Sequence, residues 1–232
     1  MKNSLCIASL SWKKPNIYRR TLETYKSGGL LDYADEKLVF FNEFTQNDIQ
    51  VANDYGISAI GSENNIGIGA ALKALAMHSK SRYILFLEND FTLVENLDAV
   101  KNQLNLCKAL IHSGRTHAIK LRSRLNPGEP LYSRGLIQKD RYLSMVHWSD
   151  LNKLPTEVKS FDHRGNRYWQ STAENSNYTN NPSMYDRIWF LNKIAPFCNR
   201  GGIALEGDIQ KTWATWNDVI VTQTEGLFCH NS

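Results

Sequence analysis

The chain has 232 residues, of which 42% are hydrophobic and 11% aromatic, so it can bury a substantial core and is not a disordered polypeptide. The formal net charge of +4 is mild. It is not gathered into a basic run, which argues against a nucleic-acid-binding protein. The length predicts a single domain covering residues 1–232.

Membrane and redox signals in the sequence are weak. The apolar stretch at residues 5–10 is too short for a transmembrane segment or for the core of a signal peptide, so we expect a cytoplasmic protein with no membrane span. The four cysteines, Cys6, Cys107, Cys198 and Cys229, lack the spacing of a metal site. We expect them to be reduced and mostly buried.

The first 115 residues alternate between strand-like and helix-like patterns. Strands are predicted at residues 5–10, 37–41, 57–60 and 82–87, and helices at 16–26, 67–79 and 94–113. This rhythm is typical of βαβ units, in which helices connect parallel strands. The fold class predicted is α/β, with a mostly parallel central sheet flanked by helices and a smaller second region.

The pattern changes after residue 116. We predict a strand at 117–121, a hairpin from 131–137 and 141–146, and loops over a binding face at 148–182. Helices follow at 183–194 and 205–216, and a last strand at 219–223 leads to the carboxyl end.

An apolar run at residues 83–87 ends in two acids, Glu88 and Asp90. Residues i and i+2 of a strand point the same way, so both carboxylates project from its carboxyl end, where open α/β sheets bind ligands. Two neighbouring acids repel each other unless a cation lies between them, and carboxylates suit Mg²⁺ or Mn²⁺. The alternative is a strand followed by a solvated acidic turn.

Four segments, taken in order and spacing, carry a family resemblance. They are residues 7–12 with Ser9 and Ser11, residues 40–43 with Asn42 and Glu43, residues 64–71 with Asn65 and Gly67, and residues 87–90 with Glu88, Asn89 and Asp90. Together they resemble family-2-type nucleotide-sugar glycosyltransferases of the GT-A fold. The resemblance implies that all nine of these residues bind the donor, and that Glu88 to Asp90 stand in the place of the family's D-x-D metal motif.

The glycines at 67 and 69 have two other readings. A dinucleotide-binding loop would need a third glycine where Leu72 stands, so that reading fails. A plain helix entry remains an alternative to a turn that brings the backbone close to a ligand.

Acids at the start of the predicted helix 205–216 are candidates for a catalytic base. The resemblance implies a base at this stage of the chain, which would deprotonate the acceptor hydroxyl in an inverting transfer. Because Gly207 separates the two acids, the register is open; we favour Asp208, with Glu206 as second choice. Simple helix capping is the competing explanation.

His230 lies near the carboxyl end. In several metal-dependent GT-A enzymes a late histidine completes the metal shell, so the resemblance implies a site made of Asp90, His230 and Glu88. An imidazole ligand favours Mn²⁺ over Mg²⁺.

Two further sets of side chains have two readings each. Lys120, Arg122 and Arg124 alternate on a predicted strand and either steer a diphosphate or an acidic acceptor, or form a solvated face. Trp148, Trp169, Tyr185 and Trp189 either stack on sugar rings or, for the helically spaced Tyr185 and Trp189, belong to the core.

The function predicted is a metal-dependent inverting glycosyltransferase, using a UDP-sugar donor and a carbohydrate or other hydroxyl acceptor. Residues 1–115 would form the donor-binding half and residues 116–232 the acceptor-binding half. One rival is a sugar-phosphate nucleotidyltransferase, which would want a glycine-rich basic loop where residues 9–12 stand. The other is a non-catalytic carbohydrate-binding relative, against which the retained acids at 88, 90 and 208 argue.

Overall fold

The computed structural model describes residues 3–128, 157–163, 165–198 and 205–231. The strands are β1 (Leu5–Trp12), β2 (Glu36–Asn42), β3 (Ser58–Ser62), β4 (Tyr83–Glu88), β5 (Phe91–Leu93), β6 (Ala118–Arg122), β7 (Lys159–His163), β8 (Asn166–Thr172), β9 (Ser183–Asp186) and β10 (Ile220–His230). The helices are α1 (Pro15–Ser27), α2 (Leu30–Tyr33), α3 (Gln46–Asp54), α4 (Gly67–His78), α5 (Leu97–His112), α6 (Arg187–Lys193) and α7 (Leu205–Trp213).

All of these strands join one sheet, in the order β3-β2-β1-β4-β9-β6-β10-β8-β7, with β5 paired to β10. The strands β3, β2, β1 and β4 run parallel, and so do β6 and β10. Strand β9 lies antiparallel between β4 and β6, while β8, β7 and β5 add antiparallel pairs at the carboxyl-terminal side. The predicted α/β fold class is confirmed.

The sheet separates two apolar cores, and the alternation of side chains along the strands decides which core each residue joins. In β1, Leu5 and Ile7 pack with α1, α2, α3 and α5, whereas Ala8 and Leu10 pack with α4, α6 and α7. Extending this alternation places Glu88 at the end of β4 and Lys120 in β6 on the same side as α4 and α7.

Most predicted elements of the first half are confirmed, and three were missed: α2, α3 and β5. The short strand β5 lies just before α5, which begins at Leu97 rather than at 94. Helix α3 begins at a capping box, in which Thr45 and Asp48 each accept a hydrogen bond from the other's backbone N–H.

The predicted helix at 183–194 is wrong in its first turn. Residues 183–186 form β9, which hydrogen-bonds to both β4 and β6 and so fills the centre of the sheet. The helix begins only after Asp186, whose carboxylate accepts the backbone N–H groups of Ile188 and Trp189. Hydrogen bonding to a strand on each side outweighs the helical sequence pattern of these four residues.

The predicted loops at 148–182 are also corrected, because the hairpin β7–β8 occupies 159–172. The predicted hairpin at 131–146 and Trp148 lie outside the described residues. All four cysteines are free and buried, as predicted. None of the helices in the described ranges combines the length and apolar character needed to cross a bilayer.

The last strand is longer than predicted, because β10 continues from Ile220 to His230 through a bulge between Gln223 and Phe228. Gly226 lies in the bulge with φ +90°, and the side chain of Gln103 on α5 bonds both its N–H (3.0 Å) and its C=O (3.1 Å). The bulge lets one strand pair with β6 and β8 first and then reach β5.

Candidate active site

A cavity of about 300 Å³ opens where β1, β2 and β4 end. Because these strands are parallel, their carboxyl ends meet at one edge of the sheet, the usual ligand-binding edge of such folds. Five of the nine predicted donor-binding residues line it: Asn42, Asn65, Glu88, Asn89 and Asp90. The rest of the lining is Leu10, Trp12, Lys14 and Ile68.

The floor between β2 and α4 is fixed by two asparagine side chains. Asn42 is buried, and its Oδ1 accepts the backbone N–H of Ile66 at 3.0 Å. Asn65 Oδ1 accepts the N–H of Gly67 at 2.8 Å, and Gly67 starts α4 with φ +82°. The positive φ explains the glycine, and the turn places the start of α4 beside the cavity.

Glu43 stands at the rim, where its carboxylate accepts hydrogen bonds from Trp12 Nε1 (2.6 Å) and Lys13 Nζ (2.7 Å). Lys13 and then Trp12 lower the pKa of this carboxyl. Lys13 and Glu43 both have positive φ, which is uncommon for residues other than glycine and concentrates at functional sites. Trp12, about half exposed, is thereby held beside the cavity.

Ser9 and Ser11 do not line the cavity. Both are buried in β1, and alternation places their side chains opposite Leu10 and Trp12, on the side of α1. Any contact of these two residues with a ligand in the cavity therefore has to come from the backbone.

Asp90 and His230 are brought together by the pairing of β5 with β10. His230 Nε2 lies 3.5 Å from Asp90 Oδ1, and the backbone N–H of Asn231 donates to the carbonyl of Asp90 at 2.8 Å. The His230 ring also packs on the Phe91 ring, with centroids 4.8 Å apart. The predicted proximity of residues 90 and 230 is therefore present in the fold.

Negative charge accumulates beside this pair. Burial, followed by the charges of Asp90 and Glu206, raises the pKa of Glu88 to about 8, against a smaller opposite effect of Lys14. Lys14 Nζ lies 4.0 Å from Asp90 Oδ2. Acids arranged in this way need a proton or a cation to offset their mutual repulsion.

Glu88, Asp90 and His230 are the candidate ligands for a divalent metal ion. Within the described ranges no group of three or more His, Cys, Asp or Glu side chains converges on a point that could hold a metal ion, so Glu88, Asp90 and His230 do not form a complete shell. Asp90 Oδ1 is nevertheless buried without a hydrogen bond to any described residue, next to an imidazole. An oxygen and a nitrogen ligand are of the kinds that Mn²⁺ accepts, and a diphosphate and water would supply the further oxygens.

The two candidate bases on α7 face different directions. Glu206 Oε1 accepts the backbone N–H of Asn180 at 2.6 Å, and its charge acts on both Glu88 and Lys120. Burial raises the pKa of Glu206, while Asn180 and Lys120 oppose that rise. Asp208 lies two residues further, about 200° around the helix. Glu206 therefore points toward residues 176–180, where its charge acts on Glu88 and Lys120, and Asp208 points to another side of the helix.

The basic residues of β6 and the segment after it are not a solvated face. Lys120 and Arg122 are buried, with Lys120 bonded to Ser176 and Asn177 and Arg122 to Pro127, Gly128 and Asn181. Arg124 lies over the Trp169 ring, 3.3 Å from its centroid. The donors of Lys120 and Arg122 bond protein groups, which the spacing of the basic residues in the sequence could not reveal.

The aromatic candidates that the structure describes pack internally. Trp169 and Tyr185 are buried, and Tyr185 stacks on Trp189 with centroids 6.1 Å apart. Sequence reasoning did not assign four residues that line the cavity: Leu10, Trp12, Lys14 and Ile68. For Trp12, the last residue of β1, and for Lys14, which follows it, the signal was their position at the same edge of the sheet as the acids.

A mixed sheet with parallel amino-terminal strands and an acidic site at their carboxyl ends defines an α/β architecture of the GT-A type. Comparison with solved structures agrees. The chain is similar to S. aureus TarS 1–349 in complex with UDP-GlcNAc, with a TM-score of 0.61, 13% identity, and coverage of 99% of this chain and 58% of that one.

Two further similar structures carry other ligands. Glucosyl-3-phosphoglycerate synthase from Mycobacterium tuberculosis, in complex with Mn²⁺, UDP and phosphoglyceric acid, has a TM-score of 0.54 and 13% identity, covering 99% of this chain and 71% of that one. Mannosyltransferase PcManGT from Pyrobaculum calidifontis, in complex with GDP-Man and Mn²⁺, has a TM-score of 0.55 and 11% identity, covering 94% and 56%.

No protein-family model matches the sequence, and no curated protein matches it. The structural likeness establishes the fold: the chain has the GT-A fold of these glycosyltransferases. The chain spans 58% of the TarS 1–349 chain and 37% of the longer TarS chain.

Proposed function

We propose that the chain is a metal-dependent inverting glycosyltransferase that moves a sugar from a nucleotide-diphosphate donor, UDP-linked, to a hydroxyl group of a carbohydrate acceptor. The observation that carries the proposal is the cavity at the strand ends, lined by Glu88, Asn89 and Asp90, with His230 beside Asp90. The structural neighbours in complex with UDP-GlcNAc, or with UDP and Mn²⁺, support this choice of ligands.

The donor-binding half is residues 1–115 in this proposal, and the acceptor-binding half is residues 116–232. The nucleotide would lie over Asn42 and Asn65, with Trp12 at the rim and Glu43 holding Trp12 in place. The start of α4 at Gly67 lies at the same edge, and a helix N-terminus favours phosphate groups. Ser9 and Ser11 would support the cavity from the α1 side of β1.

Asp90 and His230 would hold the divalent ion, Mn²⁺ in preference to Mg²⁺, with Glu88 as a third, longer-range carboxylate. The ion would neutralise charge on the departing nucleoside diphosphate. Lys14, 4.0 Å from Asp90, adds a second positive charge at the same place.

A base must take the proton from the acceptor hydroxyl as its oxygen bonds to the anomeric carbon and the bond from that carbon to the diphosphate breaks. We assign this role to Glu206 in preference to Asp208. The support is the position of Glu206, whose charge acts on Glu88 at the end of β4. Burial also raises the pKa of the Glu206 carboxyl.

The experiment is a thermal-shift screen of nucleotide sugars with and without Mn²⁺, followed by assays of donor hydrolysis and transfer. We expect UDP-sugars with Mn²⁺ to stabilise the protein by about 2–4 kcal/mol at 10²–10³ times their dissociation constant. Stabilisation by a nucleoside triphosphate together with a sugar phosphate would indicate a nucleotidyltransferase instead. Sugar binding with no donor binding or turnover would indicate a non-catalytic relative.

A further inference from the structure

Two oppositely charged side chains, buried Lys120 and partly buried Glu206, hydrogen-bond to one short segment, residues 176–180. Lys120 of β6 is only 5% exposed, and its Nζ donates to Ser176 Oγ at 2.9 Å and to the Asn177 carbonyl at 3.0 Å. Four residues after Ser176, the backbone N–H of Asn180 donates to Glu206 Oε1 at 2.6 Å. The segment therefore links the ammonium to the carboxylate.

One face of helix α7 hydrogen-bonds to the same segment, residues 176–180. Gln210 accepts the N–H of Tyr178 at 2.9 Å and donates to Asn177 Oδ1 at 3.2 Å, and Trp213 Nε1 donates to the Ser176 carbonyl at 2.8 Å. Glu206, Gln210 and Trp213 are spaced i, i+4 and i+7, so they share one face of the helix. The position of Glu206 thus depends on a segment that Lys120 holds from the other side.

The two charges act on each other. Burial lowers the pKa of Lys120 to about 7, and Glu206 opposes that shift. Burial raises the pKa of Glu206, and Lys120 together with the Asn180 N–H opposes that one. A buried charge is costly unless it is paired, and here each charge reduces the cost of the other.

We propose that Lys120 is a positioning residue for the base: its ammonium, fixed on Ser176 and Asn177, is the counter-ion that keeps the Glu206 carboxylate ionised and turned toward the strand ends. The inference rests on the proposed function insofar as Glu206 is the base. Among the residues that the structure describes, three titratable groups interact with Glu206: Lys120 from β6, Glu88 from β4 and Tyr178 from the segment itself. Of these, Lys120 is the cation.

The test is the titration of Glu206 followed by carboxyl-carbon NMR in protein labelled at glutamate, with Glu206→Gln identifying the resonance. Lys120→Met should move the pKa of Glu206 upward by about one unit or more, because an opposite charge is removed. Lys159→Met, which removes the same charge from the exposed edge strand β7, should leave it unchanged. An unchanged titration in Lys120→Met overturns the proposal.

The pH profile of kcat/KM gives an independent readout. Its acid limb reports the ionisation of the base in the free enzyme, so Lys120→Met should shift that limb to higher pH. A role limited to structure would lower the rate at every pH without moving the limb, and that result counts against the proposal. If the NMR titration moves but Glu206→Gln keeps full activity, the counter-ion assignment stands and Glu206 is not the base.

Should Lys120→Met fail to fold, the reciprocal measurement decides. In Glu206→Gln, the pKa of Lys120, followed at its ε-carbon, should fall further below about 7, since Glu206 now raises it. An unchanged Lys120 titration in that variant would contradict the pairing.

Discussion

The imidazole Nε2 of His230 lies 3.5 Å from the carboxylate Oδ1 of Asp90, although the two residues come from opposite halves of the chain. The contact depends on β10 running antiparallel to β5, so that His230 faces Phe91, the neighbour of Asp90. The two candidate ligands of the proposed metal site thereby come from the end of one strand and the turn after another.

His230→Ala should weaken Mn²⁺ binding by on the order of tenfold to a hundredfold, a loss typical even of groups that only orient a metal ligand. Calorimetric titration with Mn²⁺ in the presence of UDP measures it. His112→Ala, at the exposed end of α5, is the control and should bind normally. Equal Mn²⁺ affinity in the two variants would remove His230 from the metal site.

Glu88 should make the metal-free protein less stable as pH rises. Its pKa is raised from 4.5 to about 8, so its contribution to stability is full below pH 4.5 and is lost as pH rises through about 8. Glu88→Gln should therefore be more stable than wild type at pH 8.5 by on the order of a few kcal/mol, with little difference at pH 4.5.

Urea unfolding in the presence of a chelator at the two pH values tests this expectation. Glu63→Gln, at an exposed position before α4, should show no such pH-dependent gain. A Glu88→Gln variant whose stability follows wild type at both pH values would show that Glu88 is not held in a strained, buried state.

Gly226→Ala should destabilise the fold and disturb the metal site together. A Cβ at this position would come 2.3 Å from the Arg122 carbonyl oxygen, and φ is +90°, so a cost of about 2 kcal/mol or more is expected. The bulge that carries His230 to Asp90 would shift with it. Gly114→Ala is the matched control: φ is +70° but no atom lies within 4 Å of the added Cβ.

Chemical denaturation and Mn²⁺ titration of both glycine variants give the two readouts. The control should lose about 1 kcal/mol for backbone strain and keep its metal affinity. If Gly226→Ala keeps its metal affinity despite a loss of stability, the bulge does not position His230.

The sequence could predict the elements whose pattern is local. The apolar run of β4 ending in Glu88 and Asp90, and the helix that starts at Gly67, are confirmed because burial on both faces and turn chemistry leave a direct trace in the residue order. Strand β9 could not be predicted, because its four residues read as helix and become a strand only when β4 and β6 both offer edges.

The site was harder to predict from the sequence than the fold. The spacing of the carboxylates at residues 88 and 90 indicates a site. Which of Glu206 and Asp208 points toward that site, however, depends on how α7 packs on residues 176–180. The burial of Lys120 likewise follows from tertiary packing, since the alternation along a strand is the same whether the charged side chains face solvent or bond buried protein groups.

Glu206→Gln should lower turnover by roughly 10²–10⁴-fold, the usual contribution of a general base, with donor affinity little changed. Asp208→Asn is the matched control on the same helix turn and should stay within a few-fold of wild type. Transfer assays at saturating donor, paired with donor binding by calorimetry, separate the two effects. The reverse pattern, with Asp208 essential and Glu206 dispensable, would move the base by two residues.

The most direct test of the proposed donor and metal site is calorimetry of UDP binding with and without Mn²⁺, in wild type and in Asp90→Ala. Asp90 lies at the ligand edge with a buried oxygen that no described residue hydrogen-bonds, so its charge is useful there with a cation. We expect Mn²⁺-dependent UDP binding in wild type, and loss of that binding in an Asp90→Ala protein that unfolds at the wild-type temperature. UDP binding of equal strength in both proteins, or binding in wild type that a chelator leaves unchanged, would contradict it.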